Sequence, residues 1–193
     1  MKTLVLASNN IHKIKEFKEI LEDYEILSLK DIGFLEDIVE DGNSFLENAL
    51  IKAKTVSQFL QENNLFYDVV ADDSGLCCNA LNGEPGIYSA RYGDDHNFQS
   101  CRDKLRDNLR EKEDKSAYFT CCIVYYPIHG NYSSFEGKTM GVVIDEERGN
   151  KDFGYDCIFY SDDLHKTFGE ATSEEKNQVS HRRRAIEELK KSL

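Results

Sequence analysis

Residues 69–92 read VVADDSGLCCNALNGEPGIYSARY, and their first half decides what kind of fold the chain can adopt. An apolar run suited to a buried strand meets two adjacent aspartates, Asp72 and Asp73, and then Ser74 and Gly75. Side chains along a strand alternate between faces, so the two carboxylates are expected in different surroundings, one available for chemistry and one bracing the turn. Residues 67–71 read as a buried strand ending at Asp72, with Gly83, Pro85 and Gly86 marking the loop that follows. An aspartate at a strand's carboxyl end can hold Mg²⁺ or take a proton from water. The same pair is equally read as a strand end whose carboxylate accepts loop N–H groups.

Upstream, residues 3–7 (TLVLA) form a short strand pattern, and Ile14, Phe17 and Leu21 then recur at helical spacing. A second helix is expected over residues 44–61: Ser44 and Glu47 have capping-box spacing, and Leu46, Leu50, Ala53, Val56 and Leu60 make an apolar stripe. Downstream, residues 98–112 read as a mostly surface helix, and residues 117–126 (AYFTCCIVYY) as a central strand. HGN turns the chain into residues 133–144, which suggests a hairpin, before a charged loop and the apolar CIFY of residues 157–160. Strand and helix alternate first, a β-ribbon follows, and the end is helical, so a mixed-sheet α/β fold is expected.

With 193 residues, two prolines and 40% hydrophobic content, the chain suits one domain or two closely packed lobes. The apolar run at residues 4–7 is far short of a signal segment, and no stretch approaches membrane-spanning length, so a cytoplasmic protein away from membranes is expected. A net charge of −12 repels long nucleic acid, although a few convergent cations can still dominate an anion site. The six cysteines include the adjacent pairs Cys77-Cys78 and Cys121-Cys122, which lack metal-ligand spacing and read as reduced core thiols.

Three further segments carry chemistry. In SNNIHK (residues 8–13) a strand feeds a helix through a polar turn, pointing N–H groups and Lys13 at one spot, which suits either an anion or an ordinary helix start. In GNKDFGYDCIFY (residues 149–160) Gly154 lies between an aromatic residue and a Tyr-Asp pair; such a turn can lay a ring on a flat heterocycle or simply lead into a strand. Residues 172–191 hold two helix starts, one with Thr172 and Glu175 at capping-box spacing and one at Ser180. Lys176, His181 and Arg182 lie close to these ends, while Arg183 and Arg184 suit a solvated face. Asp73-Ser74-Gly75 also matches the triplet of aspartic proteases, but only one copy is present.

Taken in order, SNNIHK, FLENALIKAK, ADDSGL, GEPGIYSARY, FGYDCIF and EEKNQVSHRRRA resemble the inosine triphosphate pyrophosphatase (Ham1-like) family over nearly the whole chain. The resemblance implies one domain over residues 1–193 with a two-lobed fold, an elongated mixed sheet flanked by helices, and an active-site cleft between the lobes. It also implies Mg²⁺ dependence, a homodimer, and hydrolysis of non-standard purine triphosphates (ITP, dITP, XTP) to the monophosphate and pyrophosphate. On that pattern Ser8, Asn9, Asn10, Ile11, His12 and Lys13 form the phosphate loop, and Glu40 with Asp73 holds the metal. Asp73, Lys13 and Lys52 are the catalytic residues, Ser74 contacts substrate, and Phe153, Gly154, Tyr155, Asp156, Lys176, His181 and Arg182 form the base pocket.

Three positions depart from the family pattern. Asn9 stands where many relatives have glycine, a change that the left-handed tendency of asparagine tolerates. Cys157 replaces a proline, and Lys151-Asp152 replaces a glycine pair, so a differently shaped base-side turn is expected. Arg182 can only donate hydrogen bonds, which favours a 6-oxygen over the 6-amino group of ATP; rejection of guanosine must come from the 2-position. The alternatives are a Maf-like pyrophosphatase acting on other nucleotides, and a nucleotide sensor without catalysis.

Overall fold

The computed structural model describes residues 2–94 and 97–193. Seven strands, β1 (Lys2–Leu6), β2 (Tyr24–Leu27), β3 (Asp68–Cys78), β4 (Ser116–Tyr126), β5 (Ser133–Val143), β6 (Phe159–Ser161) and β7 (Lys166–Thr167), form one sheet in the order β2-β1-β3-β4-β5-β6-β7. Strand β1 runs parallel to both β2 and β3, whereas β6 is antiparallel to β5 and to β7. The mixed sheet read from the sequence is therefore present, with residues 117–126 in its middle strand.

The chain divides into two compact units: Met1–Asp73, Cys121–Gly137 and Arg182–Leu193 make the first, and Ser74–Thr120 with Lys138–His181 the second. Strand alternation explains the first unit. Leu4, Leu6 and Val70 pack with Phe17 of α1 (Ile11–Ile20) and with Ile186 and Leu189 of α5 (His181–Lys190). The intervening Val5, Val69 and Ala71 pack instead with Ala49, Ala53, Val56 and Leu60 of α2 (Phe45–Glu62). Helices thus cover two faces of one set of strands, as parallel pairing demands.

In the second unit α3 (Phe98–Leu109) inserts Cys101, Leu105 and Leu109 among Leu76, Ala117, Phe119, Val143, Tyr155 and Phe159, and Val179 of α4 (Ser173–Val179) packs against the same cluster. Its aromatic centre holds Phe119 and Phe159 edge to face at 4.7 Å, with Phe168 5.1 Å from Phe159. All six cysteines are buried thiols outside any disulfide. No helix of the described residues is long and apolar enough to cross a membrane.

Two local expectations need correction. Strand β3 does not end at Asp72 but continues to Cys78, because both aspartates find cations and so can stay within the ladder. On α2, Leu46 is 36% exposed and Leu50 half-buried; the buried face carries Asn48 and Lys52 among its alanines, with Val56 and Leu60. At the start of the apolar CIFY segment, residues Asp156–Ile158 make a 3-10 turn before β6. The caps behave as read: Ser44 accepts from Glu47 N, and Thr172 with Glu175 forms a complete capping box.

Phe159→Ala should leave a void between Phe119 and Phe168 and destabilise the protein by about 3–5 kcal/mol, measured as a shift in the urea unfolding midpoint.

Candidate active site

The alternation that built the first unit's core also sorts its charges. Asp72 continues the face of Val70, toward α1 and α5, and Asp73 continues the face of Val69 and Ala71, toward α2. Lys13 on the first turn of α1 grips both oxygens of Asp72, at 3.0 Å and 2.8 Å. Arg182 on the first turn of α5 approaches Asp72 Oδ2 with Nε at 3.5 Å. The thiol of Cys121 lies 3.9 Å from the same oxygen. Burial acts most strongly on the Asp72 carboxyl and would raise its pKa, yet Lys13, Arg182 and Lys52 together hold it far below the usual carboxylate range. Asp72 is thus a fixed negative charge that gathers two cations, rather than the turn-ordering residue expected.

Asp73 has different company. Asn48 Nδ2 donates to its Oδ2 at 3.1 Å, and Lys52 Nζ lies 3.8 Å from its Oδ1. Lys52 also bonds Glu40 Oε2 at 2.9 Å. Burial first, and the like charge of Glu40, push the Asp73 carboxyl upward against the pull of Lys52, Asn48 and Lys13. Asn48 and Lys52 are four residues apart on one helical face, so a single helix aims both at Asp73. Asn48 also accepts from Gly42 N at 2.9 Å, which ties the Glu40 segment to the helix. Asn48 was missed by sequence reasoning, although an amide inside an apolar stripe, one turn before a lysine in that stripe, was a readable signal.

Among the described residues, no group of three or more His, Cys, Asp or Glu side chains is placed to hold a metal ion. Glu40 and Asp73 nevertheless converge on one cation, the Lys52 ammonium. Two carboxylates around a point charge fit Mg²⁺, which keeps waters and takes further oxygens from substrate phosphates.

In the phosphate loop, Ser8 Oγ accepts from Asn10 N at 3.1 Å, and Asn10 Oδ1 accepts from His12 N and Lys13 N at 3.0 Å and 3.2 Å. Asn10 is therefore the N-cap of α1, while Ile11 and His12 are exposed. Asn9 does not use a left-handed backbone; its side chain instead accepts from Lys30 N at 2.9 Å, a bond that glycine could not make.

The second unit assembles most of the base-side residues. Gly154, at φ +52°, lets the chain turn between Phe153 and Tyr155, and Asp156 N donates to Phe153 O at 3.2 Å. Lys176 pairs with Asp156 and stands 4.8 Å from the Phe153 ring centre and 5.4 Å from that of Phe168. His181 stacks on Phe119 at 5.0 Å. Ser74 begins this unit, half-buried in β3.

Arg182 departs from the expected base group: it belongs to the first unit and is 4% exposed, with its guanidinium paired to Glu16 and Asp72. Glu16 was not singled out from the sequence, because an acidic residue on a charged helix looks like solvated surface. A buried ion pair that loses one partner strands the other, so Arg182→Met should cost about 3–5 kcal/mol in urea unfolding. Adding Glu16→Leu should recover part of that loss; a double variant no more stable than the single would refute the pairing.

A family model described as the Ham1 family matches residues 4–192. A dITP/XTP pyrophosphatase of Clostridium perfringens is 45% identical over 199 residues, covering 100% of this chain and 98% of the relative. One of Bacillus subtilis is 42% identical over 198 residues, covering 100% and 98%. The solved Ham1 protein of Staphylococcus aureus matches with a TM-score of 0.89 at 39% identity, over 99% of this chain and 97% of that one. With the Ham1 family matched over nearly the whole chain, neither the Maf-like alternative nor the aspartic protease survives. Matched from residue 4 to residue 192, the chain belongs to the Ham1 family.

Proposed function

We propose that the chain hydrolyses nucleoside triphosphates bearing a non-standard purine (ITP, dITP, XTP) to the monophosphate and pyrophosphate, and so cleanses the nucleotide pool. The observation that carries this reading is the division of charge at Asp72 and Asp73, with Lys13 gathered on one side and Lys52 and Glu40 on the other. The similar proteins of Clostridium perfringens and Bacillus subtilis bear names of the same reaction.

Asp73 is assigned the attacking water. As a metal ligand it would orient a water made more acidic by Mg²⁺ rather than take the proton freely, and the Asn48 amide fixes its plane. Lys13 and Lys52, now on carboxylates, would exchange these for phosphate oxygens; positioning of this kind supplies most of phosphoryl-transfer catalysis. Because Asn10 already occupies the N–H groups of His12 and Lys13, the ammonium of Lys13 is the stronger anion ligand in this loop. Mg²⁺ held by Glu40 and Asp73 would offset charge on the phosphate oxygens and make a bound water more acidic.

In the second unit, Lys176 is donor-only and is aligned by Asp156 over Phe153, a geometry suited to a flat ring with a keto oxygen. A 6-amino group would face donors there, and an unmet buried donor costs roughly 1–3 kcal/mol. Arg182, paired with Glu16 and Asp72, is given no part in this base reading. A homodimer in the cytoplasm completes the proposal.

ITP and XTP incubated with the protein and Mg²⁺ should yield monophosphate and pyrophosphate, with ATP a much poorer substrate. Asp73→Asn should lower turnover by about 10²–10⁴-fold while nucleotide binding persists. Near-normal turnover in that variant would remove Asp73 from its role, and intact ITP would end the proposal.

A further inference from the structure

Helix α3 buries Cys101, Leu105 and Leu109, and beside them Arg102, a charged residue, is only 3% exposed. A buried guanidinium is tolerated only where its donors are met and its charge is paired. Arg102 Nε donates to Glu147 Oε1 at 3.2 Å, Nη2 to Gln99 Oε1 at 2.9 Å, and Nη1 to Gly154 O at 2.8 Å, with Lys151 O at 3.5 Å. Glu147 is itself gripped by Gln99 Nε2 at 3.0 Å, Lys151 Nζ at 3.1 Å and Arg106 Nη2 at 3.4 Å. Burial opposes the Glu147 charge, but Gln99, Lys151 and Arg102 pull its pKa down to about 2, so the anchor stays ionised.

The carbonyl that Arg102 holds belongs to Gly154, the positive-φ hinge of the turn carrying Phe153, Tyr155 and Asp156. Other contacts also fix this turn: Tyr155 OH donates to Ser89 O at 2.6 Å, Gly169 N donates to Asp156 O at 2.9 Å, and Lys176 pairs with the Asp156 side chain. These act beyond the hinge, on residues 155 and 156. Arg102 acts at the hinge itself, next to the Phe153 ring on which Lys176 stands. Lys151, where the chain departs from the expected pattern, lies within the same grip.

We propose that Arg102 is a positioning residue for base recognition: held by Glu147, it fixes the Gly154 carbonyl and thereby sets the Phe153 ring and the Lys176 ammonium against the purine. This rests on the proposed pyrophosphatase reading and adds to it a residue that touches no substrate. Arg102 acts through the turn, so its loss changes which base is preferred more than how fast the bond breaks.

Two readouts separate this inference from the reading beneath it. Hydrogen exchange over residues 153–157 needs no substrate, and Arg102→Met should accelerate it about tenfold; unchanged exchange overturns the inference. In steady-state kinetics Arg102→Met should raise KM for ITP about tenfold, leave kcat within threefold, and lower the ITP-to-ATP ratio of kcat/KM about tenfold. Arg102→Lys, which keeps the charge beside Glu147 without the two-pronged reach, should fall between. Equal loss on both nucleotides, or an unchanged ratio, also overturns it. Should Arg102→Met fail to fold, Glu147→Gln, which weakens the same anchor, should shift the exchange and the ratio in the same directions and is judged by the same criteria. Wild-type protein that shows no preference for ITP would sink the pyrophosphatase reading and this inference with it, while faster exchange in the variant would still identify the anchor.

Discussion

Two adjacent carboxylates on one buried strand must point to opposite faces of the sheet, and the first unit is organised around that constraint. Asp72 is drawn to the side of α1 and α5, where Lys13 and Arg182 meet it; Asp73 is drawn to the side of α2, where Asn48 and Lys52 meet it. Without those cations the strand would carry two uncompensated charges into the core, each costing several kcal/mol. The helices that cover the sheet are therefore also the helices that neutralise it. On the proposed reading, chemistry and folding share the same side chains.

The sharing has an energetic consequence. Lys52 is buried on the apolar face of its helix, which by itself would lower its pKa, and only Asp73, Asp72 and Glu40 keep the ammonium charged. Interactions of this type contribute little net stability, because desolvation offsets most of the Coulomb gain. On the proposed reading, their value would lie in fixing positions before a substrate arrives, so that little reorganisation would remain when phosphate oxygens replace the carboxylates. The carboxylates left behind would be the ones assigned to the metal and the water.

Much of this was legible from residue order. The β1–α1 start, the Ser44 and Thr172 caps, the middle strand and the placing of Asp72 and Asp73 on opposite faces all follow from local periodicity and capping chemistry, which act over a few residues. The extent of β3 was not legible, since two aspartates read as a strand end unless their distant partners are known. For the same reason Glu16 and Arg102 looked like ordinary surface charges: their partners lie 166 and 52 residues away in sequence, at Arg182 and Gly154. Periodicity reports which face of a helix is apolar, but it is silent about a charge that enters that face to meet another one.

The six thiols end as a single chemical fact. A cysteine reacts with alkylating reagents and peroxides as its thiolate, and burial lifts Cys78 to about 12 and Cys122 to about 11, with Cys121 and Cys157 also raised. No thiol is exposed, so the fold shields all six from such reagents. That shielding is a property of the packed state, and each excursion to the unfolded ensemble exposes all six sulfurs at once.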